Sequence, residues 1–217
     1  MLDPVAGRGG LARVATLVRA LEHESPNTVF ALAGDTISPS LLSTLRRGAQ
    51  MIEGWNALGL GVATFGNHEF DFGPAVLAQR IGESRFPWVT SNVVDGATGR
   101  PFGGARRWLR RDFDVVRVGL IGLTTPDAAR TSNGGAGVRF DDALEAARGA
   151  LADLGPVDLR VAVTHLPLVQ DRALAAALPI DAILGGHDHD PMLLADGRAV
   201  IVKAGADAIN VGQVEYE

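Results

Sequence analysis

The alternation of short apolar runs with helical segments constrains the fold of this chain more than any other feature. Apolar residues at helical spacing predict helices over residues 11–21, 41–58 (in two pieces around Gly48 and Ala49), 74–81, 141–154 and 173–177. Short runs rich in strand formers predict strands over residues 28–33, 62–65, 88–91, 115–123, 159–164, 183–184, 199–202 and 211–216. Residues 96–111 are expected to form a loop and a hairpin. Strands that alternate with helices predict an α/β fold with largely buried sheets.

The composition excludes several classes of protein. With 47% hydrophobic and 21% charged residues, the chain is not expected to be disordered. Its net charge of −5 argues against a nucleic-acid backbone as the main partner, since such binders carry a basic field. The absence of cysteine excludes disulfides, thiolate zinc sites and a cysteine nucleophile. The 217 residues contain no interdomain linker or internal repeat, so we expect one domain over residues 1–217.

The sequence also bears on location. No apolar run reaches the roughly 20 residues that cross a bilayer, so no membrane partner is expected. The N-terminal residues do not have the pattern of a signal peptide. We therefore slightly favour a cytoplasmic location, with a periplasmic or secreted one left open if the true N-terminus lies upstream. The oligomeric state is not predicted.

Four of the predicted strands end in side chains of the types that bind metals. These ends are residues 34–35 (GD), 66–69 (GNHE), 164–165 (TH) and 185–189 (GGHDH), and they contain four of the five histidines. In α/β folds the chemistry lies in loops beyond the carboxyl ends of the strands. A carboxylate with several imidazoles suits zinc, manganese or iron better than calcium or magnesium. Glycines before the ligands let the backbone approach a small charged centre.

Such a centre suits phosphoryl hydrolysis. Two ions roughly 3.5–4 Å apart clamp the phosphate, and one of them generates hydroxide near neutral pH. The leaving oxygen still needs a proton, which we expect His68 to donate, with Asp71 holding its imidazole in the cationic form. A structural role stays open for two of these residues: Asn67 could cap a turn, and Asp71 could cap the helix that follows.

Several segments resemble the calcineurin-like metallophosphoesterases. The motifs GNHEFD (66–71) and GGHDHD (185–190) are similar to those of the 5′-nucleotidase branch, and the similarity extends to GRGGLARVATLVR (7–19) and AGDTISPSLL (33–42). The resemblance implies a four-layer αββα sandwich with two mixed β-sheets. It also implies a dinuclear centre in the complete protein, of manganese, zinc or iron, with these metal ligands: Asp35, Asn67, His165, His187 and His189.

The resemblance assigns a role to each of these residues. Asp35 would bridge the two ions, and the second ion would also be bound by Asn67, His165 and His187. His189 would belong to the first ion. His68 and Asp71 would be the catalytic pair. Other charged residues are not expected to bind metal: Glu69, Asp188 and Asp190 would support the ligand loops, His23 would be surface, and Arg106–Arg111 would form a hairpin with a solvated face.

The chain departs from the family pattern at both ends. The family opens with a strand that ends in Asp-x-His or Asp-x-Tyr just before the RGG segment, whereas here Asp3 is followed by Pro4 and Val5. We therefore expect the catalytic domain to be N-terminally incomplete and to hold at most one ion tightly. The family's C-terminal domain, which stacks the nucleotide base between aromatic residues, has no counterpart, so the base cannot be predicted.

Together these features predict metal-dependent hydrolysis of phosphomonoesters by metal-activated hydroxide, with a nucleotide as the small-molecule substrate of a 5′-nucleotidase catalytic domain. Two alternatives remain open. One is a phosphodiesterase for cyclic nucleotides or nucleotide sugars, which the same centre could serve. The other is a domain that binds metal or nucleotide without turnover.

Overall fold

The chain folds into β-sheets with helices packed against them. A computed structural model describes residues 3–216. Its α-helices are α1 (Leu11–Glu24), α2 (Leu41–Arg46), α3 (Ala49–Leu58), α4 (Pro74–Glu83), α5 (Ala128–Thr131), α6 (Ala143–Leu154) and α7 (Leu168–Ala177). Its strands are β1 (Ala31–Ala33), β2 (Val62–Thr64), β3 (Val93–Asp95), β4 (Trp108–Phe113), β5 (Val116–Thr124), β6 (Val138–Phe140), β7 (Leu159–His165), β8 (Ala182–Gly185), β9 (Pro191–Asp196) and β10 (Ala199–Ala204).

The larger sheet has six strands in the order β4-β5-β7-β8-β10-β9. Its four central strands are parallel, and β4 and β9 are antiparallel at the two edges. Two smaller pairs complete the strand pairing, with β1 parallel to β2 and β3 antiparallel to β6. The predicted α/β class with mixed pairing is therefore confirmed.

Apolar side chains from both sides of the strands fill the interior. On one side, an aromatic group that includes Phe65, Phe70 and Trp88 packs with residues of α3 and α4. On the other, α6 and α7 cover the outer face of the larger sheet. A third cluster, which includes Val62 and Val163, lies between β2 and the larger sheet. The strands thus form the inner layers and the helices the outer ones.

Most of the predicted helices and strands are present, and local chemistry explains their ends. The Asp142 side chain caps α6 by accepting a hydrogen bond from the Glu145 amide. The division between α2 and α3 falls at Arg47 and Gly48, whose φ angles are 48° and 79°. A hairpin is present but lies further along the chain than predicted, since β4 pairs antiparallel with β5 across the turn after Phe113.

Two strand predictions were wrong. Residues 88–91 form no continuous ladder, because the amides of Val89, Thr90 and Ser91 donate in turn to Ala63, Arg106 and Gly122. This segment therefore ties several parts of the fold together instead of extending one sheet. Residues 211–216 are not a strand either, since they form no ladder with any strand of the described chain.

An apolar groove lies beside β1. Its volume is about 1340 Å³, and it is lined by α1, β1 and one face of the larger sheet. Within residues 3–216, β1 pairs with β2 alone, and all three of its residues are only partly buried. The groove runs on to the ends of β1, β7 and β8, where the predicted ligands lie. No helix in the described part of the chain is long and apolar enough to span a bilayer.

Candidate metal centre and active site

The carboxyl ends of two parallel strand pairs, β1–β2 and β7–β8, bring the predicted ligands together. Asp35 follows β1, Asn67 follows β2, His165 ends β7 and His187 follows β8. Asp35 Oδ2 lies 3.1 Å from His165 Nε2, and the His165 and His187 ring centroids are 5.1 Å apart. Asp35 Oδ1 accepts a 2.9 Å hydrogen bond from the His68 amide. The structure therefore gathers residues that are as far apart in the chain as Asp35 and His187, at 152 positions.

Two buried polar atoms at this centre lack hydrogen-bond partners. They are Asn67 Oδ1 and His165 Nε2, whose contact with Asp35 does not have hydrogen-bond geometry. His165 Nδ1 lies 2.8 Å from the Ala33 carbonyl, which fixes the proton on Nδ1 and leaves the Nε2 lone pair free in the neutral ring. Buried polar atoms are normally satisfied, so two orphaned acceptors beside a carboxylate fit a bound cation.

The side chains of this region do not form a complete metal site by themselves. Within residues 3–216, no three His, Cys, Asp or Glu side chains already form a metal-binding group. An ion at this centre would therefore also need the Asn67 oxygen as a ligand, together with an adjustment of His187 on binding. Asp35, Asn67, His165 and His187 supply the oxygen and imidazole donors that suit a borderline divalent ion.

The backbone at this centre is closely packed and strained. Asp35 and His187 have φ angles of 54° and 71°, in the left-handed region that non-glycine residues rarely adopt. A Cβ atom on Gly66 would lie 2.1 Å from Asp35 Oδ1, and one on Gly186 would lie 2.3 Å from the Ala33 carbonyl oxygen. These glycines therefore allow the ligand loops to approach one another, as the sequence predicts.

The charges of the centre are strongly interdependent. Burial acts to raise the pKa of Asp35, but His165 and the amide and imidazole of His68 outweigh it, so the pKa lies below its ordinary value. Burial acts to lower the pKa of His165, but its contacts with Asp35 and Ala33 outweigh it and raise the pKa. Burial and the charge of His165 lower the pKa of His187. A cation that replaces the His165 proton would relieve this arrangement, and its binding should weaken in acid.

His68 and Asp71 form the contact that the sequence predicts. His68 Nδ1 lies 2.8 Å from Asp71 Oδ2, and the same carboxylate oxygen accepts a 2.7 Å hydrogen bond from Ser38 Oγ. The His68 side chain is 38% exposed and lines the groove with Asp35 and His187. Because Nδ1 is held by Asp71, Nε2 is the ring atom that remains available to a substrate.

The other residues considered in the sequence lie farther from the Asp35 carboxylate or on the surface. His189 is exposed and lines the same groove, without a short contact to Asp35, and Asp190 is exposed beside it. His23 is exposed, as expected for a surface residue. A metal role for His189 stays a prediction.

Glu69 contributes more to the site than its sequence position suggests. Its side chain is fully buried and accepts hydrogen bonds from the amides of Asp35, Thr36, Ile37 and Gly66. Burial raises its pKa, and the Asp35 carboxylate adds to the rise, whereas the amides act in the opposite direction. Glu69 thus joins the loop after β1 to the loop after β2, the supporting role expected from its place beside the ligands.

Lys203 was not singled out by the sequence analysis. It is a fully buried cation on β10 that contacts Asp171 and Asp188, close to His165 and His187. The sequence signal was a lone charge inside the apolar run AVIVKA (199–204).

The chain is similar in sequence to known phosphoesterases. A family model described as calcineurin-like phosphoesterase matches residues 5–191. The chain is 31% identical over 213 residues to a trifunctional nucleotide phosphoesterase of Bacillus subtilis and 30% identical over 210 residues to a 5′-nucleotidase of Vibrio cholerae. These matches cover 82% and 87% of this chain, which spans only 15% and 38% of those proteins.

The fold of the chain is also similar to that of a solved structure. A 5′-nucleotidase precursor from Thermus thermophilus superposes with a TM-score of 0.86 at 30% identity, over 95% of this chain and 47% of that one. The predicted metallophosphoesterase fold and the resemblance drawn from the motifs are confirmed. Calcineurin-like phosphoesterases are metal-dependent. From the family match and the shared fold, this chain belongs to the calcineurin-like phosphoesterase family.

Proposed function

We propose that this chain is the catalytic domain of a metal-dependent phosphomonoesterase that acts on nucleotides, as a 5′-nucleotidase does. The observation that carries the proposal is the pair of orphaned buried acceptors, Asn67 Oδ1 and His165 Nε2, beside Asp35 and the His68–Asp71 pair. The names of the relatives, a nucleotide phosphoesterase and a 5′-nucleotidase, support the substrate class.

The ligand set supports one well-defined ion. Asp35, Asn67, His165 and His187 would hold it, and His189 with Asp35 would contribute to a second. When bound by these residues, a divalent ion would supply Lewis-acid chemistry, polarising phosphoryl oxygens and lowering the pKa of a bound water. Manganese, zinc and iron each suit oxygen and imidazole donors, so the metal itself is left to experiment.

The protein residues supply the proton for the leaving group. His68 Nε2 would donate it to the ester oxygen as the phosphorus–oxygen bond breaks, so that the alcohol leaves neutral. The Asp71 carboxylate, 2.8 Å from Nδ1, would stabilise the charged imidazole and fix its orientation. Ser38 Oγ donates a 2.7 Å hydrogen bond to the same oxygen, Asp71 Oδ2, and so helps to fix the carboxylate.

Metal content and substrate choice test the proposed function together. After loading with Mn²⁺ and dialysis, elemental analysis should find at most one equivalent retained, and the variant with both Asn67→Ala and His165→Ala should retain none. Phosphate release should be faster from 5′-nucleoside monophosphates than from 3′-nucleotides, and a cyclic nucleotide serves as the diesterase control. Two retained equivalents, or an ion that survives the double substitution, would contradict the ligand assignment.

We also propose that a further strand pairs with the free edge of β1. The partly buried β1 residues and the apolar groove beside them support this, since open strand edges invite pairing. Its ladder would satisfy several backbone groups at roughly 1 kcal/mol each and bury apolar surface.

Extending the chain by about twenty residues of its upstream reading frame should raise the melting temperature by roughly 10 °C, since 1 kcal/mol is worth about 2–4 °C at this size. Phosphatase activity should rise as well. The matched control is an extension of equal length and composition in scrambled order. If the native and scrambled extensions left both quantities unchanged, the groove would need another occupant.

A further inference from the structure

A buried ammonium group joins the two histidine loops of the proposed centre. The Lys203 side chain on β10 is 0% exposed, and its Nζ donates hydrogen bonds to the Leu166 carbonyl at 2.7 Å and to the Gly186 carbonyl at 2.8 Å. Leu166 directly follows His165, and Gly186 directly precedes His187. A single cation therefore fixes the backbone next to both imidazoles.

Two carboxylates complete the surroundings of this ammonium. Asp171 Oδ2 on α7 lies 2.7 Å from Nζ, and Asp188 Oδ2 lies 2.9 Å from it. Asp188 Oδ2 also accepts a 2.9 Å hydrogen bond from the amide of Leu168, the first residue of α7. The cluster of Lys203, Asp171 and Asp188 thus ties the loop after β7, the loop after β8 and the start of α7 to one point.

Stability alone gives little reason for this arrangement. Burying a charged pair carries a large desolvation penalty, and replacing such a pair with apolar residues of similar volume is often neutral or stabilising. The other residues of β10 are Ala, Val and Ile, which fill the apolar interior without that cost. A buried lysine in this strand therefore points to a positional role.

The position it fixes is strained. His187 has a φ angle of 71°, and the amide of Asp188 turns back to donate to the Gly186 carbonyl at 2.9 Å. The Lys203 ammonium donates to that same carbonyl oxygen. Without the ammonium, the Gly186 carbonyl would lose its charged donor, and the turn that presents His187 would be free to relax.

We propose that Lys203 is a positioning residue, which holds the His165 and His187 imidazoles in place for a metal ion through the Leu166 and Gly186 carbonyls. The proposal rests on the proposed function for the identity of the ligand. Lys203 acts through these backbone groups and does not touch the substrate.

Three variants of the chain separate positioning from stability. Lys203→Met removes the ammonium. Lys203→Met combined with Asp171→Leu also removes the fully buried carboxylate that would be left unpaired, while Asp188, at 27% exposed, can reach water. Ile201→Ala is the matched control, because Ile201 is a fully buried residue of the same strand that packs in the apolar cluster.

The readouts are Mn²⁺ affinity by calorimetry on metal-free protein and the melting temperature. Lys203→Met should weaken Mn²⁺ binding by roughly 10–100-fold, as loss of a group that orients metal ligands usually does. The double variant should recover the melting temperature but not the affinity, whereas Ile201→Ala should melt earlier with unchanged affinity. A double variant that binds Mn²⁺ within about twofold of the parent would overturn the proposal, as would an equal loss of affinity in Ile201→Ala.

A metal-free measurement separates this proposal from the proposed function. Long-range proton–nitrogen NMR of the imidazoles should show shifted or broadened His165 and His187 signals in the double variant, with His23 and His68 unchanged. If the parent bound no Mn²⁺, the proposed function would fail, and the imidazole spectrum would still decide whether Lys203 positions the rings. Unchanged His165 and His187 signals would refute the positioning role.

Discussion

Replacing His68 with alanine should lower the turnover of a nucleoside monophosphate by roughly 10²–10⁴-fold, the usual worth of general acid catalysis, while metal content stays the same. The reason is geometric. His68 lines the groove and its Nδ1 is held by Asp71 at 2.8 Å, so Nε2 is the ring nitrogen that remains available as the donor. The ligand atoms of Asp35, Asn67 and His165 do not belong to this ring, so the ion should remain. Steady-state kinetics with elemental analysis of the same sample gives the result.

An aryl phosphate provides the control for the role of His68. Its leaving group is stable as an anion and needs little protonation, so His68→Ala should cost it much less than it costs a nucleotide. Asp71→Asn should have a smaller effect of the same kind, because it leaves the imidazole in place but removes its charged partner. Equal losses for both substrates, or loss of the metal, would show that His68 has another role.

The strand-end rule explains why the ligand set could be predicted from sequence. Asp35, Asn67, His165 and His187 each follow a recognisable apolar run, and parallel strands place their carboxyl ends at one edge of the fold. The glycines beside these ligands could also be recognised in the sequence, because they follow the same apolar runs. The structure shows what they permit, since Gly34, Gly66 and Gly186 have no room for a Cβ atom.

Contacts between distant segments could not be predicted in this way. The four amides that donate hydrogen bonds to Glu69 belong to two loops, at residues 35–37 and at Gly66. No local sequence pattern indicates that they converge on one carboxylate. Lys203 has its partners in the loops that follow β7 and β8 and on α7, all outside its own strand. Both residues act through tertiary hydrogen bonds, which composition and periodicity do not encode.

The wrong and missed strands have a similar origin. Residues 88–91 have strand-like composition, but their amides bond to three separate segments, so tertiary pairing overrides local preference. The β9–β10 hairpin was missed although its two-residue turn, Gly197-Arg198, begins with a glycine at a φ angle of 61°, which is a turn-forming pair. A closer search for such pairs would have found β9 from the sequence.

Glu69→Gln should destabilise the protein by roughly 3–6 kcal/mol, which is a large part of the about 5–15 kcal/mol that a domain has. Hydrogen bonds to charged groups contribute about 1.5–3 kcal/mol each, and a buried donor left unsatisfied costs a similar amount. Glutamine keeps one acceptor oxygen and turns an amide group toward donors, so at least two of the four amides would lose their partner. Urea unfolding measures the change in free energy.

Glu53→Gln is the matched control for this substitution. Glu53 is 61% exposed and pairs with Arg46 on the surface, where an ion pair is worth about 1 kcal/mol or less, so its loss should hardly move the urea midpoint. A cost below about 1 kcal/mol for Glu69→Gln would contradict the role assigned to it.

Glu69→Gln should also weaken metal binding, since Glu69 accepts a hydrogen bond from the amide of Asp35 and so helps to hold the Asp35 φ angle at 54°. In the fraction that remains folded, Asp35 would relax, and Mn²⁺ affinity should fall even where the unfolding curve shows an intact fold.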